Sequence, residues 1–449
     1  MAKRLFATGW GVRAGLSLAA MGAALCAVAA IRAQSEMPSA PEPTLVPQER
    51  ALSYRLADKP SQPPAFKVSV EPLGFSGPGA ISLGLRNSVA SLDFLDENRL
   101  LFTFRVPGLV HRDAGEGEER QIRAVVLKLP AGTVEAEALW TVHDRARYLW
   151  ALNGGRFLLR DRNNLEMGDA TLELKPFLRF PGPLLWLEMD PTQQYLVTNS
   201  REPATAGSKT GEEGSQSTVN GYGQKPDGES DLEVRILRRD SGQVMLVSRA
   251  RSTVHLPINS DGYLESLRGM GEGWLLNLKY FSGGSRILGQ VESSCAPLFD
   301  FLSQREVLVT ACTPLGAGKL VAMTTEGRRL WDAETSAATV WPLVVRSPDG
   351  SRLAREALAV NHPVSAGSSL DQGDIKGQLV EVLDAADGKV VLEAAASPIL
   401  DAGGNVAISP SGRRVAVLNG GAIQVFELPA PTPLPEPSFL APAAHPPSR

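Results

Sequence analysis

The sequence predicts an all-β protein, a β-propeller of seven four-stranded blades, with six or eight blades as the alternatives. Three observations lead there. A strand-turn-strand element recurs seven times, a second element closed by glycine follows it in four of the seven cases, and no fifteen-residue window in 66–428 keeps a 3.6-residue apolar period free of Gly or Pro. A four-stranded antiparallel unit repeated radially is a propeller blade.

The first element reads SLDFLDENRLLFTF from Ser91, YLWALNGGRFLLRD from Tyr148, LWLEMDPTQQYLVTNS from Leu185 and LESLRGMGEGWLLNL from Leu264. It continues as LFDFLSQREVLVTAC from Leu298, LVVRSPDGSRLA from Leu343 and VAISPSGRRVAVLN from Val406. The intervals are 57, 37, 79, 34, 45 and 63 residues, so the short ones match a blade and the long ones a blade with an insertion. The second element closes on Gly132, Gly242, Gly327 and Gly388. Tight hairpins want glycine because it reaches positive φ without a Cβ clash. The last copy ends one strand short, at AIQVFEL before Pro429, and FKVSV at Phe66–Val70 alternates like the strand that would complete it and join the two termini in one blade.

The copies carry a resemblance. SPDGSRLA at Ser347 and SPSGRRVAVLNGGAIQVFEL at Ser409 resemble the repeats of bacterial exported YVTN and WD40-like propellers, and LDAADGKVVLE at Leu383 resembles the repeat of quinoprotein-type propellers. The resemblance implies architecture rather than activity. Quinoprotein dehydrogenases hold their cofactor against two adjacent cysteines, and this chain has no such pair; no cofactor is expected.

Lys3, Arg4 and Arg13 precede an uncharged stretch from Ala14 to Ile31, the layout of a secretory signal peptide, with cleavage expected after Ala33. An uncleaved anchor is the alternative, and Leu25 beside Cys26 argues against a lipoprotein. Residues 34–65 read as a Pro-rich linker, 66–428 as the propeller and 429–449 as a disordered Pro-rich tail. Removing 1–33 takes away four cations and no acid, so the net charge of −4 becomes −8. Nucleic acid is therefore excluded as a partner. The periplasm or the extracellular space is the expected location, with no membrane span after cleavage and a monomeric state.

The mature chain keeps Cys295 and Cys312. In an oxidising compartment a hairpin turning at Ser303-Gln304 would place them opposite each other, as a non-hydrogen-bonded pair suited to a disulfide. No zinc spacing occurs among the five histidines. The oxygen-rich run Asp161, Asn163, Asn164, Glu166, Asp169 lacks the calcium-loop glycine and reads as a hairpin turn at 162–164. Neither a nucleophile elbow, a P-loop nor a dinucleotide fingerprint is present. The tryptophans Trp140, Trp150, Trp186, Trp274, Trp331 and Trp341 are expected mostly between blades.

These features point to a non-catalytic binding or scaffolding propeller whose partner is a protein or polysaccharide of the cell envelope. The alternatives are a carbohydrate-active hydrolase or lyase with carboxylates converging in the central channel, and a structural part of an envelope assembly. Three long loops, Pro107–Gln121, Arg201–Asp231 and His362–Lys376, each fall between the second and third strands of a repeat and would emerge on one face. The middle one, with many Gly and almost no large apolar residue, is expected to be extended and mobile. Asp113, Glu116, Glu119, Glu212, Glu213, Asp371 and Asp374 would make that face acidic and suit it to a basic or polar partner.

Overall fold

A computed structural model describes residues 60–77, 88–107, 111–113, 117–143, 146–201, 232–269, 273–312, 318–335, 338–362, 364 and 370–432. Among them the protein is a seven-bladed β-propeller without an α-helix. Strand β1 (Phe66–Ser69) comes first in sequence and last in the ring. Blade 1 holds β2 (Ala90–Phe94), β3 (Arg99–Arg105), β5 (Gly117–Lys128) and β6 (Thr133–Val142), with the short β4 (His111–Asp113) paired to the start of β5. Blade 2 is β7 (Leu149–Leu152), β8 (Arg156–Asp161), β9 (Asn164–Asp169) and β10 (Lys175–Arg179); blade 3 is β11 (Leu184–Met189), β12 (Tyr195–Arg201), β13 (Leu232–Arg238) and β14 (Val244–Ala250). Blade 4 contains β15 (Gly262–Arg268), β16 (Gly273–Tyr280) and β17 (Ser285–Glu292). Blade 5 is β18 (Leu298–Ser303), β19 (Glu306–Cys312), β20 (Gly318–Thr324) and β21 (Arg329–Glu334); blade 6 is β22 (Thr339–Arg346), β23 (Arg352–Val360), β24 (Ile375–Asp384) and β25 (Val390–Ala396). Blade 7 is β26 (Val406–Ile408), β27 (Arg414–Asn419) and β28 (Ala422–Glu427), completed by β1.

The expected closure holds. β1 pairs antiparallel with β28, Phe66 opposite Val425 and Ser69 opposite Ala422, so residues from both ends of the propeller share one sheet. Before it, Ser61 donates its amide to Glu393 O of blade 6 at 2.9 Å. After it, the amide of Thr432 donates to Asp384 at 3.0 Å.

Among the described residues the core is divided as a ring requires: seven of its eight apolar clusters lie one between each pair of neighbouring blades, and the eighth, around Leu358 and Val360, covers one end of blade 6. Leu100, Phe102 and Phe104 of blade 1 meet Val68, Leu418 and Ile423 of blade 7. Trp140 and Phe157 join blades 1 and 2, Leu158 and Leu187 blades 2 and 3, and Val197 and Ile258 blades 3 and 4. Leu276 and Val309, Trp331 and Leu353, and Val382 and Phe426 complete the circuit. Each blade thus buries both faces, which a lone four-stranded sheet cannot do.

The first turn of each blade uses one device. The residue ending the innermost strand is Asp96, Asn153, Asp190, Asn259, Ser303, Ser347 or Ser409. In six of the seven its side-chain oxygen accepts a backbone N–H further round the turn, for example Asp190 Oδ1 from Tyr195 at 2.7 Å and Ser347 Oγ from Arg352 at 2.9 Å. Short polar side chains that bond their own backbone favour turns over strands, so the seven copies are spelled by these residues.

Blade 4 corrects the fourth copy. Its first hairpin is HLPINSDGYLESL, turning at Asn259–Gly262, rather than the LESLRGMGEGWLLNL hairpin from Leu264, which joins β15 to β16, the second and third passes. The innermost pass, residues 254–259, is irregular because Pro257 has no N–H. It is held by Leu264 N to Pro257 O and Asn259 N to Gly262 O, both 2.9 Å, and by an Ile258–Tyr263 bridge. With this assignment β17 is the outermost strand.

Cys295 and Cys312 form a disulfide with Cα atoms 5.5 Å apart, tying the connection between blades 4 and 5 to the end of β19. The expected register was one residue off. Leu298 faces Thr310 and Phe301 faces Val307, then an irregularity after Phe301 shifts the turn to Gln304-Arg305, so Cys295 reaches Cys312 diagonally from outside the ladder. Closing a loop of 17 residues restricts the unfolded chain by about 3 kcal/mol. Cys295→Ser/Cys312→Ser is therefore expected to lower the unfolding temperature by several degrees in scanning calorimetry, with far-UV circular dichroism unchanged.

The four glycines of the second element sit at third-to-fourth-strand turns with φ of 69°, 65°, 91° and 72°. At Gly388 a Cβ would also lie 2.5 Å from the Trp331 ring, so position and packing both demand glycine.

Candidate functional site

The innermost strands line the central channel, and two groups of charged side chains reach it. On the first, Asp93 of β2 accepts the Ser91 hydroxyl at 2.5 Å and faces Arg147 at the entry to blade 2. Enclosure by the channel walls pushes its carboxyl up to about 6, although Arg147 and then Ser91 pull the other way. Arg147 donates Nε to Leu149 O at 3.0 Å and lies 5.4 Å from the Trp150 ring.

The second group ties four blades together. His255, on the irregular innermost pass of blade 4, hydrogen-bonds through Nδ1 to Glu188 of blade 3 and through Nε2 to Phe299 O of blade 5 at 2.9 Å; Asp300 Oδ1 lies 3.8 Å from Nε2. Glu188 also accepts the Trp186 indole N–H and the Leu256 amide. From blade 6, Arg346 donates to Phe301 O of blade 5 at 2.5 Å and to Met189 O of blade 3 at 3.4 Å. Blades 3 and 6 are not neighbours, so this guanidinium bridges the channel. Burial alone would lower the His255 pKa, but the charge and hydrogen bond of Glu188, with Asp300 beyond it, raise it to about 10 and keep the imidazole cationic. Asp300 is raised, chiefly by desolvation, but half its side chain is open to channel water, which screens part of that cost.

At the rim the same blades are stitched by polar turns. Gln304 Nε2 donates to Asp190 at 3.0 Å and Asn259 Nδ2 to Gln304 O at 2.9 Å. Around the rest of this mouth, the first turns of blades 1, 2, 3, 6 and 7 enclose a cavity of about 290 Å³ against Phe94, Leu152, Gln193, Pro348 and Pro410. A larger cavity of about 420 Å³ lies on the same face, between blades 3 and 4.

The acidic residues expected on the loop face are placed in part. Glu119 lies in β5, half-buried, and accepts Gln121 Nε2 at 3.3 Å. Asp113 lies in β4. Asp371 and Asp374 form a reciprocal cap on the 3₁₀ turn Gln372–Asp374 that leads into β24. Glu116, Glu212 and Glu213, with most of the 201–231 insertion, lie outside the described residues. All three long connections join the second to the third strand of their blades, β3 to β5, β12 to β13 and β23 to β24.

The oxygen-rich run is a hairpin turn: Asp161 binds the His143 amide and ring, Asn163 donates to Phe180 O, and Asp169 accepts Thr171. No cluster of three metal-ligating side chains occurs among the described residues. Trp140, Trp150, Trp274 and Trp331 are buried; Trp186 instead reaches the channel carboxylate. Sequence reasoning missed the channel brace, since residues 188, 255, 300 and 346 meet only when the ring closes.

No protein-family model and no curated protein matches the sequence. Solved structures similar in fold include Pyrococcus horikoshii acylaminoacyl peptidase (11% identity, TM-score 0.40), with 70% of this chain and 53% of that one covered. The chain spans about half the length of that peptidase. Others are Chaetomium thermophilum Sqt1 bound to the N-terminus of ribosomal protein L10 (11%, 0.40, covering 77% and 98%) and Kuenenia stuttgartiensis hydrazine synthase (9%, 0.39, covering 79% and 99%). At this level of similarity they carry no argument about function.

Proposed function

We propose that this chain is an exported, non-catalytic binding propeller of the YVTN-like kind, and that it captures a basic or polar protein of the cell envelope on the face of its second-to-third-strand loops. The observation that supports this most is the state of the channel carboxylate Glu188. Its oxygens already accept Trp186, His255 and Leu256, and the imidazole that would be its acid–base partner is held cationic. Glu188 and His255 thus serve as a brace, and the channel carboxyls with raised pKa values, Asp93 and Asp300, face Arg147 and His255 rather than each other, unlike the paired carboxyls of a hydrolase. β1 closes the ring, and a disulfide, the bond type that persists in an oxidising compartment, ties the approach to blade 5 to its second strand. No helix among the described residues is long and apolar enough to cross a membrane.

A rigid ring delegates recognition to its loops. Shortening the connections 107–121, 201–231 and 362–376 to tight turns is expected to leave the unfolding midpoint within about 2 °C, a shift below 1 kcal/mol, and to abolish capture of the envelope partner in affinity purification. Capture that survives the triple shortening contradicts the proposed face.

A further inference from the structure

A cavity of about 420 Å³ lies at the rim between blades 3 and 4, with aromatic rings on one side and a polar row beside them. Its walls are Tyr263, at the start of β15, Tyr280 and Phe281, at the hairpin between β16 and β17, and Met245 and Leu246 of β14. Tyr263 and Phe281 stand 6.4 Å apart centre to centre, and Tyr195 backs Phe281 at 6.1 Å, so the rings are fixed by packing between the two blades. A polar row runs beside them. Asn277 donates to Glu265 at 2.8 Å, Glu265 holds Lys279 Nζ at 3.1 Å, and Lys279 and Ser285 line the cavity. At the hairpin, a Cβ added to Gly283 or Gly284 would meet nothing within 4 Å, so this end is open.

We infer that this groove binds an internal stretch of a β-linked polysaccharide. Pyranose rings with equatorial substituents present an apolar C–H face for the aromatic side chains and, at their edges, hydroxyls that both donate and accept. Lys279 brings further N–H donors and the Ser285 hydroxyl both donates and accepts, so a row of sugar hydroxyls can pair with both along the cavity wall. A proline-rich strand matches the aromatic wall but, lacking backbone N–H groups at its prolines, offers no row of donors and acceptors to Lys279 and Ser285. The open hairpin end lets a chain run through rather than end in the cavity. This site is separate from the loop face: third-to-fourth-strand turns and second-to-third-strand loops leave an antiparallel blade at opposite ends.

The test titrates the mature full-length protein with cellotetraose and with chitotetraose, followed by calorimetry and by saturation-transfer NMR on the tyrosine rings. Saturable binding of at least one is expected, weakened tenfold or more by Ser285→Trp, which fills the groove from an exposed position, and several-fold by Lys279→Met. Neither change should move the unfolding midpoint, and the triple loop shortening should leave sugar binding intact. No saturable binding of either tetrasaccharide, binding indifferent to Ser285→Trp, or binding lost on loop shortening overturns the inference. So does a synthetic peptide of residues 429–449 that binds in place of the sugars and is displaced by Ser285→Trp, an outcome that would assign the groove to a proline-rich segment. Loss of partner capture with sugar binding retained would separate this site from the loop face.

Discussion

Glu356→Gln is expected to raise the unfolding temperature by several degrees at pH 8 and to flatten its decline between pH 5 and 8. Glu356, on β23, is 1% exposed, at the junction of blades 6 and 7. It accepts Gln378 Nε2 at 2.6 Å, and Gln378 is in turn locked to both backbone groups of Leu400. Burial pushes its carboxyl up to about 8, with the amides of Asn405 and Gly404 offsetting part of the rise. Between the unfolded value near 4.5 and 8, the unfolded chain has released this proton while the folded chain holds it. Stability therefore falls as pH rises through that window, by up to about 5 kcal/mol from a shift of this size. Glutamine is neutral at every pH and keeps the acceptor for Gln378, so the penalty vanishes. Urea unfolding of both proteins at pH 5, 6.5 and 8 measures it; parallel pH profiles would show that Glu356 is not the group responsible.

A larger effect is expected from removing the closing strand. A chain beginning at Glu71 loses the four pairs between Phe66–Ser69 and Ala422–Val425, together with Val68 and Val70, which are only 7% and 0% exposed. Two valines at about 1.5–3 kcal/mol each already take away roughly 5 kcal/mol. β28 is left as an unpaired apolar edge, a template for association. The truncated chain should melt at least 10 °C lower or aggregate, and a peptide of residues 60–77 added in trans should restore part of the loss. An unchanged melting profile would mean that the ring does not depend on strand exchange.

How far the fold was legible depended on how each signal was written. The closing strand was readable because FKVSV alternates and AIQVFEL stops one strand short. The disulfide was readable from the position of two cysteines about a hairpin, although the irregularity after Phe301 moved the register by one, a detail no alternation of apolar residues marks. The fourth blade was misread because Pro257 breaks its innermost strand while the more regular β15–β16 hairpin drew the assignment. The signal was nevertheless present: Asn259-Ser260-Asp261-Gly262 has a short polar capping residue two positions before Asp-Gly, as Ser347-Pro348-Asp349-Gly350 does, and starting the copy at His255 brings the interval to the next blade close to the one that follows. The channel was opaque. Glu188, His255, Asp300 and Arg346 belong to four different blades, and no spacing along the chain encodes a contact made by closing a ring. Likewise, the rim groove joins a strand of blade 3 to a hairpin of blade 4 that its sequence, YFSGGSRI, marks only as a glycine turn.

The central claim is that a rigid ring binds its protein partner through one face. It is tested most directly by placing a photo-crosslinking amino acid at single positions in cells. Probes at Glu119 and Asp374, beside the long second-to-third-strand connections, should trap a protein adduct of one defined mass. Probes at Asp349 and Ser411, on first turns of blades 6 and 7, should trap none. Adducts from Asp349 or Ser411 with none from Glu119 and Asp374 would contradict the account.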